Sequence, residues 1–157
     1  MRRKDREITD PKIIEEILNN SQVCRVALND SEFPYIVPFN YGYRDNVLYF
    51  HSAASGKKID LIQKNNKVCF EIEFVSQLIK HEQSCKWSTI YRSIIGFGKI
   101  EIITDVKEKK RGLDIIMAHY GKTENNLYNE MNIEKIVVLR LTIHKLTGKQ
   151  SGDWSHG

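Results

Sequence analysis

The chain has 157 residues, of which 41% are hydrophobic and 28% charged, and its formal net charge is +4. This composition is typical of a soluble globular protein, and the length predicts one domain over residues 1–157. The basic residues are interleaved with acidic ones, which argues against a nucleic-acid-binding face. The chain has only three cysteines, no apolar N-terminal segment and no apolar run near the roughly 18 residues of a membrane span. We therefore expect a cytoplasmic protein with no membrane partner.

The first half of the chain predicts a helix followed by strands. Asp10 and Pro11 have the residue types of an N-cap and a first helical position, and the apolar residues behind them lie on one face up to Asn19-Asn20. Residues 22–28 then have the composition of a strand. Residues 35–43 and 47–51 predict a hairpin that closes over 44–46.

The second half alternates two short helices with longer strands. A helix is expected over about residues 56–64, and a strand over 67–74 with Val68, Phe70 and Ile72 on its apolar face. Residues 75–86 are interpreted as a loop. Residues 89–104 predict a long strand with a bend at Gly96 and Gly98. The residues after Asp105 predict a helix that ends at Gly121, and residues 135–146 predict a last strand.

These elements predict a mainly β protein with short helices. About six strands follow one another closely enough for hairpin connections, so the sheet is expected to be mostly antiparallel. A small closed barrel fits this order, since helices do not alternate regularly with strands as in a doubly wound α/β fold.

The segment VLYFHSAASGKKID, residues 47–60, carries the clearest chemical signal. A strand ends near His51, a turn of small residues follows, and Lys57 and Lys58 open a helix. Free backbone N–H groups, hydroxyls and two ammonium groups suit a bound phosphate. His51 occupies the place of the first glycine of a P-loop and Lys58 that of its hydroxyl residue, so a Walker-type nucleotide site is excluded. A solvent-facing helix start with surface lysines remains the alternative.

Other positions also bear on a ligand site. The imidazole of His51 can exchange a proton near neutral pH, although a partly exposed histidine at a strand end is equally compatible with the pattern. Pro38 cannot donate a ladder hydrogen bond, which predicts an edge strand there and leaves Phe39 and Asn40 free to contact a flat heterocycle. The segment from His81 to Cys85 lacks a paired motif of metal ligands, so no metal site is predicted.

Several stretches resemble nitroimidazole-resistance proteins, which are relatives of pyridoxamine 5′-phosphate oxidase. The matching residues are MRRKDREI at the start, PYIVPFN over 34–40, YFHSA over 49–53 with Gly56-Lys57-Lys58, and LTGK over 146–149. The resemblance implies an FMN-binding split barrel and a homodimer with the flavin at the subunit interface. It implies that Val37, Pro38, Phe39 and Asn40 line the flavin, that Ser52, Ala53, Lys57 and Lys58 hold its phosphate and ribityl chain, and that His51 lies at its reacting end. Trp87, Tyr91 or Ser93 would reach the cofactor from the other subunit.

The activity implied by the resemblance is an FMN-dependent oxidoreductase that reduces nitro groups of small heterocycles such as 5-nitroimidazoles. His51 would polarise or protonate the acceptor. Two alternatives remain open: a non-catalytic flavin- or haem-binding protein on the same barrel, and an oxidase acting on a phosphorylated vitamer. The last is the least favoured, because the sequence shows no second basic cluster for a substrate phosphate.

Overall fold

The computed structural model of the chain describes residues 2–124 and 126–154, and it contains one large antiparallel sheet with four helices around it. Within the described residues the strands are β1 (Glu7–Ile8), β2 (Val23–Leu28), β3 (Tyr35–Asn40), β4 (Gly42–Arg44), β5 (Val47–Ala53), β6 (Lys67–Ile79), β7 (Ser88–Ile103) and β8 (Ile136–Ser151). The helices are α1 (Pro11–Asn20), α2 (Lys57–Lys64), α3 (Val106–His119) and α4 (Glu130–Lys135). Single 3₁₀ turns occupy Lys4–Arg6 and Ser84–Lys86. None of the described helices is long and apolar enough to cross a membrane.

The sheet curls into a half-barrel. Its strand order is β3-β2-β6-β7-β8-β5-β4, and β1 adds to β8 at Glu7↔Lys149 and Ile8↔Gly148. The first and last strands of this order, β3 and β4, are separated in the chain by Tyr41 alone. The chain itself therefore joins the two edges of the curled sheet, which confirms the predicted split barrel with short helices.

The barrel interior holds the main core. Strand alternation turns Val26, Phe50, Phe70, Ile94 and Leu141 inward, and all are at most 1% exposed. Helices α1 and α2 contribute a further set of buried residues to this core: Ile17, Leu18, Ile59, Leu61 and Ile62. A second, smaller core lies on the outer face of β5 and β8, where Tyr49 and Val138 pack with Leu113, Ile115 and Ile116 of α3.

The predicted hairpin over residues 35–43 and 47–51 is wrong in its first strand. The chain breaks at Tyr41, so β3 pairs with β2 and only β4 pairs with β5. The hydroxyl of buried Tyr41 donates to the carbonyl of Leu18 over 2.8 Å, which anchors the corner to α1. The turn itself lies at Asp45 and Asn46, both with positive φ, and the β5 strand continues to Ala53 instead of ending at His51.

The predicted loop over residues 75–86 is also wrong in part. Strand β6 continues to Ile79 and pairs with β7 across a register shift between Val75 and Gln77. The last strand runs from Ile136 to Ser151 rather than ending at 146, and the short elements β1 and α4 were not predicted. The strand segments among these gain their structure from pairing with distant strands, which local composition does not reveal.

The bend predicted at Gly96 and Gly98 is confirmed. The register of β7 against β8 shifts between Phe97 and Gly98. A Cβ atom at Gly96 would overlap the ring of Phe70, and one at Gly98 would overlap the carbonyl oxygen of Thr142. Both positions therefore need glycine for close approach, which lets the long strand curve around the core.

Candidate functional site

The end of β5 places His51 and Ser52 on opposite faces of the sheet. His51 is exposed on the outer face, opposite Val138 of β8, whereas Ser52 is 5% exposed and points into the barrel. Ala53, the last strand residue, is exposed on the same face as His51. A ligand at this strand end would therefore meet the His51 imidazole from outside the barrel.

The start of α2 has free hydrogen-bonding capacity. Gly56, at the N-cap, has a φ of 113° and offers no side-chain oxygen, so no side chain caps the first turn. Nothing lies within 4 Å of the position that a Cβ atom would take at Gly56. Nearby, the buried Oγ of Ser52 has no hydrogen-bond partner among the described residues. An uncapped helix terminus and an unpartnered hydroxyl fit an anionic group such as a phosphate.

Lys57 forms a contact that the sequence did not indicate. Its ammonium nitrogen lies 2.8 Å from Oδ2 of Asp30 and 4.8 Å from the ring centre of Tyr35. The hydrogen bond between the two side chains lowers the pKa of Asp30 and raises that of Lys57. Lys57 is exposed and Asp30 half-buried, and an ion pair at the surface is weak, so the ammonium group can exchange this carboxylate for a ligand oxyanion.

Lys58 connects the helix start to the edge strand β3. Its ammonium nitrogen lies 5.4 Å from the ring centre of Phe39, and the Phe39 ring is 4.9 Å from that of Phe50. Phe39 is 6% exposed and Val37 is half-buried, so both face inward. The exposed Pro38 sits on the outer face of β3, which is an edge strand as its proline predicted.

Asn40, at the end of β3, is tied to the end of α3. Its amide nitrogen donates to the hydroxyl of Tyr120 over 3.1 Å, and the backbone N–H of Tyr41 donates to the same oxygen over 3.3 Å. The Tyr120 hydroxyl in turn donates to the carbonyl of Gln22. The structure thus gives Asn40 a role in holding the corner between β3 and β4, which sequence reasoning missed.

The residues expected from the other subunit lie far from His51 within one chain. His51 pairs with Val138 and Ser93 with Lys149, so the two pairs lie eleven positions apart along β8, roughly 35 Å of strand. Tyr91 lies beside Ser93, whereas the indole of Trp87 donates to the carbonyl of His81 over 2.6 Å. One chain brings Lys57 to Tyr35 and Lys58 to Phe39, and it does not bring Tyr91 or Ser93 to the end of β5.

A half-barrel with an uncapped helix terminus, two lysines and an aromatic edge strand defines a split-barrel protein with a candidate anion site. A model of the family described as pyridoxamine 5′-phosphate oxidase matches residues 10–150. The chain therefore belongs to this family, and its resemblance to nitroimidazole-resistance relatives is confirmed. No curated protein matches it.

Three solved structures are similar to the chain. A protein of Bacteroides thetaiotaomicron, provisionally named a 5-nitroimidazole antibiotic resistance protein, is 36% identical, with 92% of this chain and 86% of that one covered and a TM-score of 0.82. The flavocytochrome Anf3 of Azotobacter vinelandii is 17% identical over 98% and 72% of the two chains, with a TM-score of 0.83. A FAD- and haem-binding protein of Mycobacterium smegmatis is 20% identical over 95% and 75%, also with a TM-score of 0.83. The last two likenesses show the fold alone.

Proposed function

We propose that the chain binds FMN, with the flavin phosphate at the N-terminus of α2. The observation that carries this proposal is the uncapped helix start at Gly56 beside Lys57 and Lys58, with the edge strand β3 against it. Backbone N–H groups at a helix terminus and lysine ammonium groups both stabilise a phosphate. The unpartnered hydroxyl of Ser52 would supply one more donor.

The remaining site residues would position the rest of the cofactor. Val37, Pro38, Phe39 and Asn40 belong to β3, whose Tyr35 and Phe39 rings meet the two lysines, and the backbone of this edge strand is free on one side to meet a flat ring. Ala53 leaves room beside the ribityl chain because its side chain is small. His51 lies on the outer face at the end of β5, two residues before the last strand residue Ala53, and its imidazole can hold or donate a proton there.

The reaction we propose is the reduction of a nitro group on a small heterocycle. When bound, FMN supplies electrons two at a time from an external two-electron reductant. Conversion of a nitro group to an amine consumes six electrons and six protons and releases two water molecules, so it requires three rounds of flavin reduction. His51 would deliver protons to the nitro oxygens. The 36%-identical Bacteroides protein, named for resistance to 5-nitroimidazoles, supports this choice of acceptor.

The test is anaerobic reoxidation of the chemically reduced, FMN-loaded protein by a 5-nitroimidazole. We expect the oxidised flavin spectrum to return, and His51→Gln to slow this return about 100-fold or more while FMN stays bound. His144→Gln is the matched control, because His144 is exposed on β8, beyond the part of that strand that pairs with β5. If the nitroimidazole leaves the reduced flavin unchanged, the protein is a flavin carrier and not a nitroreductase. If His51→Gln reacts at the wild-type rate, His51 is not the proton donor.

We further propose a homodimer with the flavin at its interface. The helices that contact β2, β6 and β7, which are α1 and α2, pack into the barrel core, and on the outer face of β7 Ile95 and Phe97 are 48% and 51% exposed. Adjacent exposed apolar side chains on an uncovered sheet are typical of a protein interface. Within one chain, Tyr91 and Ser93 lie too far from the start of α2 to contact a cofactor bound there. A second subunit would bring its own Tyr91 and Ser93 to that cofactor.

A further inference from the structure

A cavity of about 380 Å³ lies on the outer face of the sheet, beside the N-terminal segment. The pairing of β1 with β8 folds this segment back across the C-terminal strand. The basic opening of the chain therefore meets the middle of β7 and the end of β8. The cavity wall is formed by Arg2, Arg3, Ser93, Ile95, Thr147 and Lys149.

The cations around this cavity are only partly neutralised. The Arg3 guanidinium is paired with both oxygens of Asp5, but no ion pair of Arg2 or Lys149 occurs within the described part of the chain. The ammonium nitrogen of Lys149 lies 5.7 Å from the ring centre of Tyr91. A hydrogen bond from Lys149 lowers the pKa of the Tyr91 phenol, and Arg6 lowers it further. The phenol thus experiences the positive field of both groups.

Two carboxylates share this face and limit the positive excess. Glu7 is opposite Lys149 in the β1–β8 register, and Glu73 is opposite Ser93 in the β6–β7 register. Neither forms a salt bridge with a cation of the cavity among the described residues. With Asp5 included, three carboxylates face four cations, namely Arg2, Arg3, Arg6 and Lys149, so the region keeps a net positive charge.

We propose that this cavity binds the phosphate group of a small organic phosphate. Arg2 and Lys149 would bind the oxyanion through charge-assisted hydrogen bonds, and the hydroxyl of Ser93 would donate one more. Ile95 and the ring of Tyr91 offer an apolar surface to the organic part of the molecule. This site is separate from the helix terminus at Lys57 and Lys58, since Ala53, the last strand residue before α2, pairs with Ile136, eleven positions along β8 from Thr147 of the cavity wall.

The proposal uses residues other than those of the flavin site at α2, and it rests on the proposed flavin binding only where the partner's FMN is the source of the phosphate. It also gives a role to the sequence MRRKDREI, which the proposed flavin site does not use. A phosphate could reach the cavity from two sources: the FMN held by a partner subunit, or a second phosphorylated molecule such as an electron donor or acceptor.

The test uses inorganic pyrophosphate, titrated calorimetrically into full-length, flavin-free protein that carries Lys57→Gln and Lys58→Gln. These substitutions remove the contribution of the α2 site. We expect pyrophosphate to bind, and Arg2→Gln with Lys149→Gln to weaken its binding about tenfold or more. Lys145→Gln, on the same strand but outside the cavity wall, should leave the affinity unchanged. Absence of binding, or an equal loss with Lys145→Gln, would overturn the proposal.

A second readout is specific to the cavity, and a third identifies the source of the phosphate. Bound pyrophosphate should raise the pKa of Tyr91. The titration is followed by tyrosinate absorbance, and the part due to Tyr91 is the part that Tyr91→Phe removes. An unchanged Tyr91 titration would refute binding at this place.

FMN affinity is then compared between wild type and the Arg2→Gln, Lys149→Gln variant. A loss restricted to FMN, with riboflavin affinity unchanged, assigns the cavity to the partner's flavin. Unchanged FMN affinity assigns the cavity to a second phosphorylated molecule. Either assignment holds only if the Arg2→Gln, Lys149→Gln variant has lost its pyrophosphate binding.

Discussion

The ammonium nitrogen of Lys58 lies 5.4 Å from the ring centre of Phe39, so the first turn of α2 is held against the edge strand β3. The Phe39 ring packs on Phe50 in the core at 4.9 Å, which fixes its position. A cation over an aromatic face is a modest attraction by itself. The contact matters because it places the start of α2, which suits a phosphate, next to the edge strand β3, which suits a flat ring.

The first prediction concerns Tyr120, whose hydroxyl joins Gln22, Asn40 and Tyr41 at the corner between β3 and β4. We expect Tyr120→Phe to lower the free energy of unfolding by about 1 kcal/mol, since water can replace part of the lost bonding at this exposed position. Urea unfolding measures the change. Tyr128→Phe is the control away from the corner, because its hydroxyl bonds to Asp114. An unchanged FMN affinity in Tyr120→Phe would show that the corner does not position β3 for the cofactor.

The second prediction concerns the close approach of Gly96 to Phe70. Gly96→Ala would place a methyl group into the Phe70 ring, and we expect it to destabilise the fold by about 1–3 kcal/mol. The substitution should be less destabilising in a Phe70→Leu background, because the smaller side chain leaves space for the methyl group. A double-mutant cycle in urea measures this coupling. Equal effects in the two backgrounds would mean that the strain lies elsewhere.

The third prediction concerns the stability at alkaline pH. Burial and the hydrogen bond to Glu15 raise the pKa of Tyr43 from 10.0 to about 12. Because the folded state holds the phenolic proton more tightly than the unfolded chain, this group stabilises the fold fully below pH 10 and loses its effect as the pH rises to about 12. The stability difference between wild type and Tyr43→Phe should therefore shrink from about pH 9 to about pH 11.5. A constant difference over that range would contradict the assignment.

The fourth prediction tests the proposed dimer face. Phe97→Glu would place a charge among the exposed apolar residues of β7, and we expect it to convert a dimer to monomers and to weaken FMN binding with it. Light scattering after size-exclusion chromatography measures the mass. Leu127→Glu is the matched control, because Leu127 is 94% exposed and lies outside the sheet. A wild-type monomer with full FMN affinity would refute an interface site.

Local signals in the sequence predicted the ends of helices and the inward faces of strands. The side chains of Asp10 and Asp105 cap α1 and α3 by accepting from the backbone N–H groups of Lys12 and Glu108 over 2.9 Å, and Gly121 follows α3 with a φ of 89°. Each of these features depends on residues within one helical turn. The fold class followed from them because short helices between apolar strands have few compact arrangements.

The features that the sequence did not predict depend on distant partners. The alternation of aromatic residues continues through Tyr41, so nothing in it marks the residue where the chain passes from one edge of the sheet to the other. Lys57 meets Asp30 and Asn40 meets Tyr120 only because the barrel closes. The basic cavity beside β8 was missed for the same reason, since Arg2 and Lys149 come from opposite ends of the chain.

The most direct test of the account compares FMN with riboflavin, which lacks only the phosphate. Fluorescence titration of flavin-free protein gives both affinities for wild type, for Lys57→Gln with Lys58→Gln, and for the control Lys64→Gln at the other end of α2. We predict that wild type and the control bind FMN at least about tenfold more tightly than riboflavin, and that the double variant loses most of this preference. A wild-type protein that binds neither flavin, or a double variant with an undiminished preference for FMN, would contradict a phosphate site at the start of α2.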